Sequence, residues 1–341
     1  MHLQAALMCA VASAFAPAHR ASTTRASSTR VAALPTLAPA DPSRVTVLPD
    51  ADAVGKEVWR RIDEAGKKAV AERGTFSLAI PGGSVLKMLA GTAPEWAEDC
   101  MLAYVNHKCV SMDDAALATH AKARAGFLDA WDGVDVLTLG GSSDSLAEAC
   151  RYAELLELAT VQKLLLLAEN PDSGECTPVF DMMVIGVGDD GHVGSLYPGR
   201  GEVTDDYSWV LPVDAKEPGG ITLSMAVMRG ASEGPALNSE PPRRRREPFD
   251  YRRGRRRAPF DSAPTRPVRL PPRRRREPFD FRAGEVLVAA CGVSEKYPQG
   301  KSDAMKRAIE TEETLETFPA AGLRTVADYV FDEAAASKLT L

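Results

Sequence analysis

The segment Phe180–Gly199 constrains this chain more than any other. Met182 to Ile185 are continuously apolar, the pattern of a parallel strand covered on both faces. The strand empties into Gly186-Val-Gly188-Asp-Asp190-Gly-His192, a turn carrying three glycines, two carboxylates and an imidazole. Glycine lets the backbone turn sharply and lets a ligand approach it closely. In open α/β sheets ligands bind at the carboxyl ends of the strands, where this turn falls.

The surrounding pattern is consistent with such a sheet. Val45 to Leu48 reads as a short strand, and Asp50 can cap a helix running to about Arg73, with Val54, Val58, Ile62, Ala65 and Ala69 at helical spacing. Phe76 to Ile80 is the next strand and stops at Pro81-Gly82-Gly83-Ser84, after which Val85 to Leu89 starts a helix. Met101–Val105 and Val134–Leu139 read as strands, and 118–130 and 144–168 as helices. Glu285 to Cys291 is a further strand, followed by helices over 301–311 and 326–338. Strands alternating with helices predict a mostly parallel, Rossmann-like α/β sheet with helices on both faces, in one domain made of residues 45–232 and 284–341.

Residues 233–283 break the pattern. Pro241-Pro-Arg-Arg-Arg-Arg-Glu-Pro-Phe-Asp250 recurs identically at 271–280. Repeated proline opposes helix and central strand, and clustered arginine repels itself, so a disordered insert is expected. Residues 241–283 hold 16 arginines and 5 acidic residues, a charge of +11 in a chain of net −6, which leaves −17 on the remainder. An acidic body of this kind is not a nucleic-acid binder, and any polyanion binding is confined to the insert.

Six cysteines form no Cys-x-x-Cys pair and no zinc spacing, so neither a metal nor a disulfide framework is expected. No apolar run beyond the first forty residues is long enough to span a membrane. Those forty residues contain no Asp or Glu. An apolar stretch to Ala14 precedes a segment rich in arginine, serine and threonine, which is the order of a signal followed by a transit peptide. It resembles bipartite plastid leaders, with a mitochondrial presequence or a plain secretory signal as the alternatives. Residues 1–44 are therefore set apart as a cleaved leader to the plastid stroma.

Gly186-Val-Gly188-Asp-Asp190-Gly-His192 with Ser195-Leu-Tyr-Pro-Gly199 resembles the signature of the 6-phosphogluconolactonases, which are relatives of the glucosamine-6-phosphate isomerases (deaminases). The resemblance extends to Phe76–Ser84, Ile221-Thr-Leu-Ser224, Lys301–Ile309 and Phe318-Pro319. It implies a parallel α/β sheet acting on a sugar phosphate, without cofactor or metal, in the oxidative pentose phosphate pathway. The expected reaction is hydrolysis of 6-phospho-D-glucono-1,5-lactone to 6-phosphogluconate. The alternatives are an amino-sugar-phosphate isomerase and an inactive sugar-phosphate binder.

Opening a lactone requires a base that takes a proton from water at neutral pH, and an imidazole suits that task. His192 matches the family's catalytic histidine, and Asp190 is expected to orient it or to position the substrate. Gly82, Gly83 and Ser84 join a strand to a helix, where backbone N–H groups can cradle an anion. Lys301 aligns with the family's phosphate-side lysine, with Lys296 as the competing candidate. Asn106-His107-Lys108 stands where the family usually shows Asp-Glu-Arg, and the motif that normally follows is altered near Ala118-Thr-His120. Asn106 cannot abstract a carbon-bound proton, which argues against the isomerase. Lys108 keeps a positive charge but lacks arginine's bidentate fork. His107 is expected to add a second imidazole or to lie exposed.

Overall fold

The computed structural model describes residues 35–89, 93–169, 176–205, 207–230, 284–292 and 300–340. The 233–283 insert, Lys296 and residues 1–34 of the leader lie outside them. Strands β1 (Val45–Leu48), β2 (Phe76–Ile80), β3 (Cys100–Tyr104), β5 (Asp135–Val136), β8 (Met182–Ile185), β11 (Glu285–Ala290) and β12 (Ala327–Asp332) form a parallel sheet in the order β1-β12-β11-β8-β2-β3-β5. A three-stranded antiparallel sheet is made by β4 (Asn106–Lys108), β10 (Gly220–Leu223) and β9 (Val210–Val213). A hairpin pairs β6 (Leu166–Glu169) with β7 (Cys176–Val179).

The two-residue period of the strands builds two cores. Leu78, Ile80, Met182, Val184, Leu287 and Ala289 face α1 (Ala51–Arg73), which contributes Val54, Val58 and Ile62. Ala79, Met183, Ile185 and Val288 face the other way, toward Tyr152 and Leu156 of α4 (Ser145–Val161) and Met305, Ala308 and Ile309 of α6 (Ser302–Ile309). Asp50 caps α1 by accepting from the Ala53 amide at 2.8 Å, and Gly74 ends it in the left-handed conformation at φ 76°.

Two expectations need correction. The segment expected as a final helix over 326–338 is the buried strand β12 followed by a single turn, α7 (Glu333–Ala336). Tyr329, Val330 and Phe331 favour a pleated surface, and β12 is clamped between β1 and β11. The helix expected over 144–168 stops at Val161, because Lys163 turns into the left-handed region at φ 63° and the chain returns as β6.

The fold also begins before Val45. The Leu37 amide donates to the Glu313 carbonyl at 2.8 Å. The buried Arg324 guanidinium donates to the carbonyls of Leu37 and Ala38 and to those of Arg307, Ala308 and Thr311 at the end of α6, at 2.6–3.2 Å. Arg324→Met should leave these acceptors unsatisfied and lower stability by about 3 kcal/mol, read as a fall in the urea midpoint at unchanged m-value.

The residues flanking the insert lie away from the carboxyl ends of the strands. Gly230, at the end of α5 (Met225–Gly230), packs on Thr177 and Pro178, and Gly284 packs on the Phe180 carbonyl. Both therefore sit beside the segment that leads into the amino end of β8.

Candidate active site

From β2 the chain moves one way across the sheet, to β3. From β8 it moves the other way, to β11. The sheet therefore has its topological switch point between β2 and β8, the crevice where such sheets bind ligands. A cleft of about 1040 Å³ opens there, at the carboxyl ends. His192, Gly82, Gly83, Ser84, Lys108 and Lys301 all line it. Asp190 stands behind His192 and does not line the cleft.

The turn after β8 is built around its histidine. The Gly188 amide donates to the His192 carbonyl at 2.9 Å, and Val187 bridges to Val193. A Cβ at Gly188 would fall 2.1 Å from His192 Nδ1, so only glycine leaves room for the imidazole. Gly191 has φ 88°, and a Cβ there would meet the Phe318 ring at 2.4 Å. The tail segment around Phe318 thus closes against the turn.

His192 Nδ1 lies 2.5 Å from Asp190 Oδ1, and the His192 amide donates to the same oxygen at 3.1 Å. Partial burial pushes the Asp190 carboxyl up, but the hydrogen bonds from His192 outweigh it and hold the group below the usual carboxylate value. Asp190 is therefore ionised at neutral pH and accepts a proton-bearing Nδ1, which puts the imidazole's basic lone pair on Nε2. The Tyr197 ring leans on the imidazole with centroids 4.8 Å apart, and the Lys216 ammonium sits 4.3 Å above the centre of the Tyr197 ring.

The Pro81–Ser84 turn leads into α2 (Val85–Met88), a single helical turn in which Ser84 makes no side-chain cap. So short a helix has little macrodipole, and the helix share of the expected anion site falls away. The cleft also carries side-chain cations. Lys56, Lys87 and Lys122 line the cleft with Lys108 and Lys301, against Asp52 as the lining carboxylate. The sequence gives no signal for Lys56, Lys87 and Lys122, which come from three separate helices. Lys301 precedes α6 and donates from Nζ to the Val187 carbonyl at 2.8 Å, tying that helix to the histidine turn.

Asn106 donates from Nδ2 to Ser195 Oγ at 3.0 Å and braces the end of the histidine turn. His107 is neither exposed nor a second imidazole in the cleft. It is buried, its Nε2 accepts from the His120 amide at 3.0 Å, and its Nδ1 donates to the Lys108 carbonyl at 2.7 Å. Burial pushes its pKa down, in keeping with this neutral tautomer. Burial also pushes the Cys291 thiol at the cleft wall up to about 11, so it is protonated at neutral pH and not a nucleophile. Among the described residues no group of His, Cys, Asp and Glu could hold a metal ion, and no helix is long and apolar enough to cross a membrane.

The family described as glucosamine-6-phosphate isomerases/6-phosphogluconolactonase matches over residues 49–240. A probable 6-phosphogluconolactonase of Schizosaccharomyces pombe is 27% identical over 189 residues, covering 53% of this chain and 73% of the relative. Probable 6-phosphogluconolactonase 3, chloroplastic, of Oryza sativa subsp. indica is 28% identical over 152 residues, covering 42% of this chain and 45% of the relative. The crystal structure of 6-phosphogluconolactonase from Leishmania guyanensis superposes with a TM-score of 0.58 at 17% identity, covering 87% of this chain and 98% of the other, and so shares its fold.

Proposed function

This chain belongs to the glucosamine-6-phosphate isomerase/6-phosphogluconolactonase family, and from that premise we propose that it hydrolyses 6-phospho-D-glucono-1,5-lactone to 6-phosphogluconate in the oxidative pentose phosphate pathway. The observation that carries this reading is His192 at the wall of a lysine-lined cleft, backed by the Asp190 carboxylate. A hydrolase for an anionic sugar ester needs such a base and such a field.

His192 Nε2 takes a proton from water as the water oxygen attacks the lactone carbonyl. Asp190 stabilises the imidazolium that forms. The tetrahedral oxyanion then collapses, the bond from the carbonyl carbon to the ring oxygen breaks, and the imidazolium returns the proton to that oxygen. One water is consumed, and a hydroxy acid is the product. Lys108 and Lys301, with the Gly82–Ser84 turn, contact the phosphorylated sugar; Lys296 retains the same proposed role. The chain needs no cofactor for these steps.

The isomerase alternative is disfavoured by Asn106, which binds Ser195 and has no basic carboxylate to move a carbon-bound proton. The test is to offer the protein glucosamine 6-phosphate and the lactone side by side. Lactone hydrolysis without ammonia release is the expected result, and ammonia release without hydrolysis would overturn the reading. The hydroxyl-rich leader, whose first forty residues carry no Asp or Glu, and the chloroplastic name of the rice relative support delivery to a plastid. A stromal signal from a fusion of residues 1–44 to a fluorescent protein would test it, and a cytosolic signal would count against it.

A further inference from the structure

We infer that Lys122 is a further substrate-phosphate ligand acting beside Lys108, and that buried His107 is the positioning residue that holds the two lysines' elements together. The inference deepens the lactonase reading and rests on it. A phosphate monoester near pH 7 carries close to two negative charges, and one lysine meets it as a point charge without a fork. Lys108 on β4 and Lys122 on α3 (Thr119–Gly126) line the same cleft.

What joins them is the pair of segments in which the sequence departs from the family pattern. His107 Nδ1 donates to the carbonyl of Lys108 itself, and His107 Nε2 accepts from the His120 amide in the first turn of α3. His120 in turn meets the Tyr104 hydroxyl through Nδ1 at 2.8 Å. The Pro81–Ser84 turn closes the corner, since a Cβ at Gly82 would lie 3.0 Å from Thr119 Oγ1. The departures at 106–108 and 118–120 are thus bonded to each other, and they join the elements that carry Lys108 and Lys122 at one wall of the cleft.

Steady-state kinetics on two substrates tests the inference: the phosphorylated lactone, and D-glucono-1,5-lactone, which lacks the phosphate. Lys122→Gln should raise KM for the phosphorylated lactone about tenfold, with kcat little changed, the size expected for one charge-assisted contact. The penalty should shrink below about twofold on the phosphate-free lactone, where no phosphate is present to contact. His107→Phe, which keeps a ring but loses both hydrogen bonds, should show the same split. His107→Gln, whose amide can donate and accept, should recover part of it.

An unchanged KM in Lys122→Gln, or an equal loss on both lactones, would overturn the inference while leaving the lactonase reading intact. If the wild type opens neither lactone, the lactonase reading fails. Calorimetric binding of 6-phosphogluconate against gluconate then decides the lysine separately. Loss of the phosphate-dependent affinity in Lys122→Gln would support it, and equal affinity in variant and wild type would sink it.

Discussion

Replacing His192 with alanine is expected to lower kcat on the phosphorylated lactone by roughly 10²–10⁴-fold, the usual worth of a positioned general base. KM should move much less, because the cleft lysines proposed to hold the anion remain in place. The imidazole is 20% exposed, and the turn around it is held by backbone bonds that the substitution spares, including Gly188 to the His192 carbonyl. The variant loses the contacts to Asp190 and Tyr197, so its thermal midpoint should fall by a few degrees, the size of a loss of about 1 kcal/mol, while the protein stays folded at the assay temperature. A large fall in KM-dependent binding with kcat intact would move His192 from base to substrate ligand.

Asp190→Asn is expected to lower kcat by roughly 10–10²-fold. A buried carboxylate behind a catalytic imidazole can be worth about 10⁴-fold, because its amide replacement favours the wrong tautomer and no longer stabilises the imidazolium. Here the Asp190 side chain is 46% exposed, so solvent screens part of that interaction and the smaller figure applies. The pH dependence follows from the direction of its shift. The Asp190 carboxyl is held below the usual carboxylate value, so its charge is present throughout the neutral range. The acid limb of kcat/KM, in the range of roughly pH 5–8 where imidazoles titrate, then reports the base rather than Asp190. In Asp190→Asn that limb should move to lower pH, because the imidazolium loses its counter-charge. A limb that stays in place would detach Asp190 from the base.

The sequence revealed the part of the site that is contiguous in the chain. Glycines at 186, 188 and 191, two carboxylates and one histidine leave few ways to build a turn, and the structure packs Gly188 on the imidazole and Gly191 on Phe318. The sheet was legible for a related reason. Strands buried on both faces read as apolar runs, β8 throughout and β2 with Ser77 as its one polar residue. The cleft lysines were not legible, because Lys56, Lys87 and Lys122 come together only when α1, α2 and α3 pack over one end of the sheet, and an exposed lysine carries no local mark of a partner. His107 was misread for the opposite reason. The residues on either side of it are polar, yet it is buried against the Tyr104 ring and bonded to the Lys108 carbonyl and to the His120 amide of α3. Within the helix expected over 326–338, residues 327–332 form β12 instead, because their pairing partners β1 and β11 decide in favour of a strand.

The measurement that tests the account most directly is the rate at which the purified protein opens 6-phospho-D-glucono-1,5-lactone at neutral pH, against the spontaneous rate in buffer. Residues 35–44 should be retained, because Arg324 and Glu313 bind Leu37. The account predicts hydrolysis far above the blank, with 6-phosphogluconate as the product. A wild-type protein that binds 6-phosphogluconate yet opens the lactone no faster than buffer would contradict it and mark the chain as a sugar-phosphate binder.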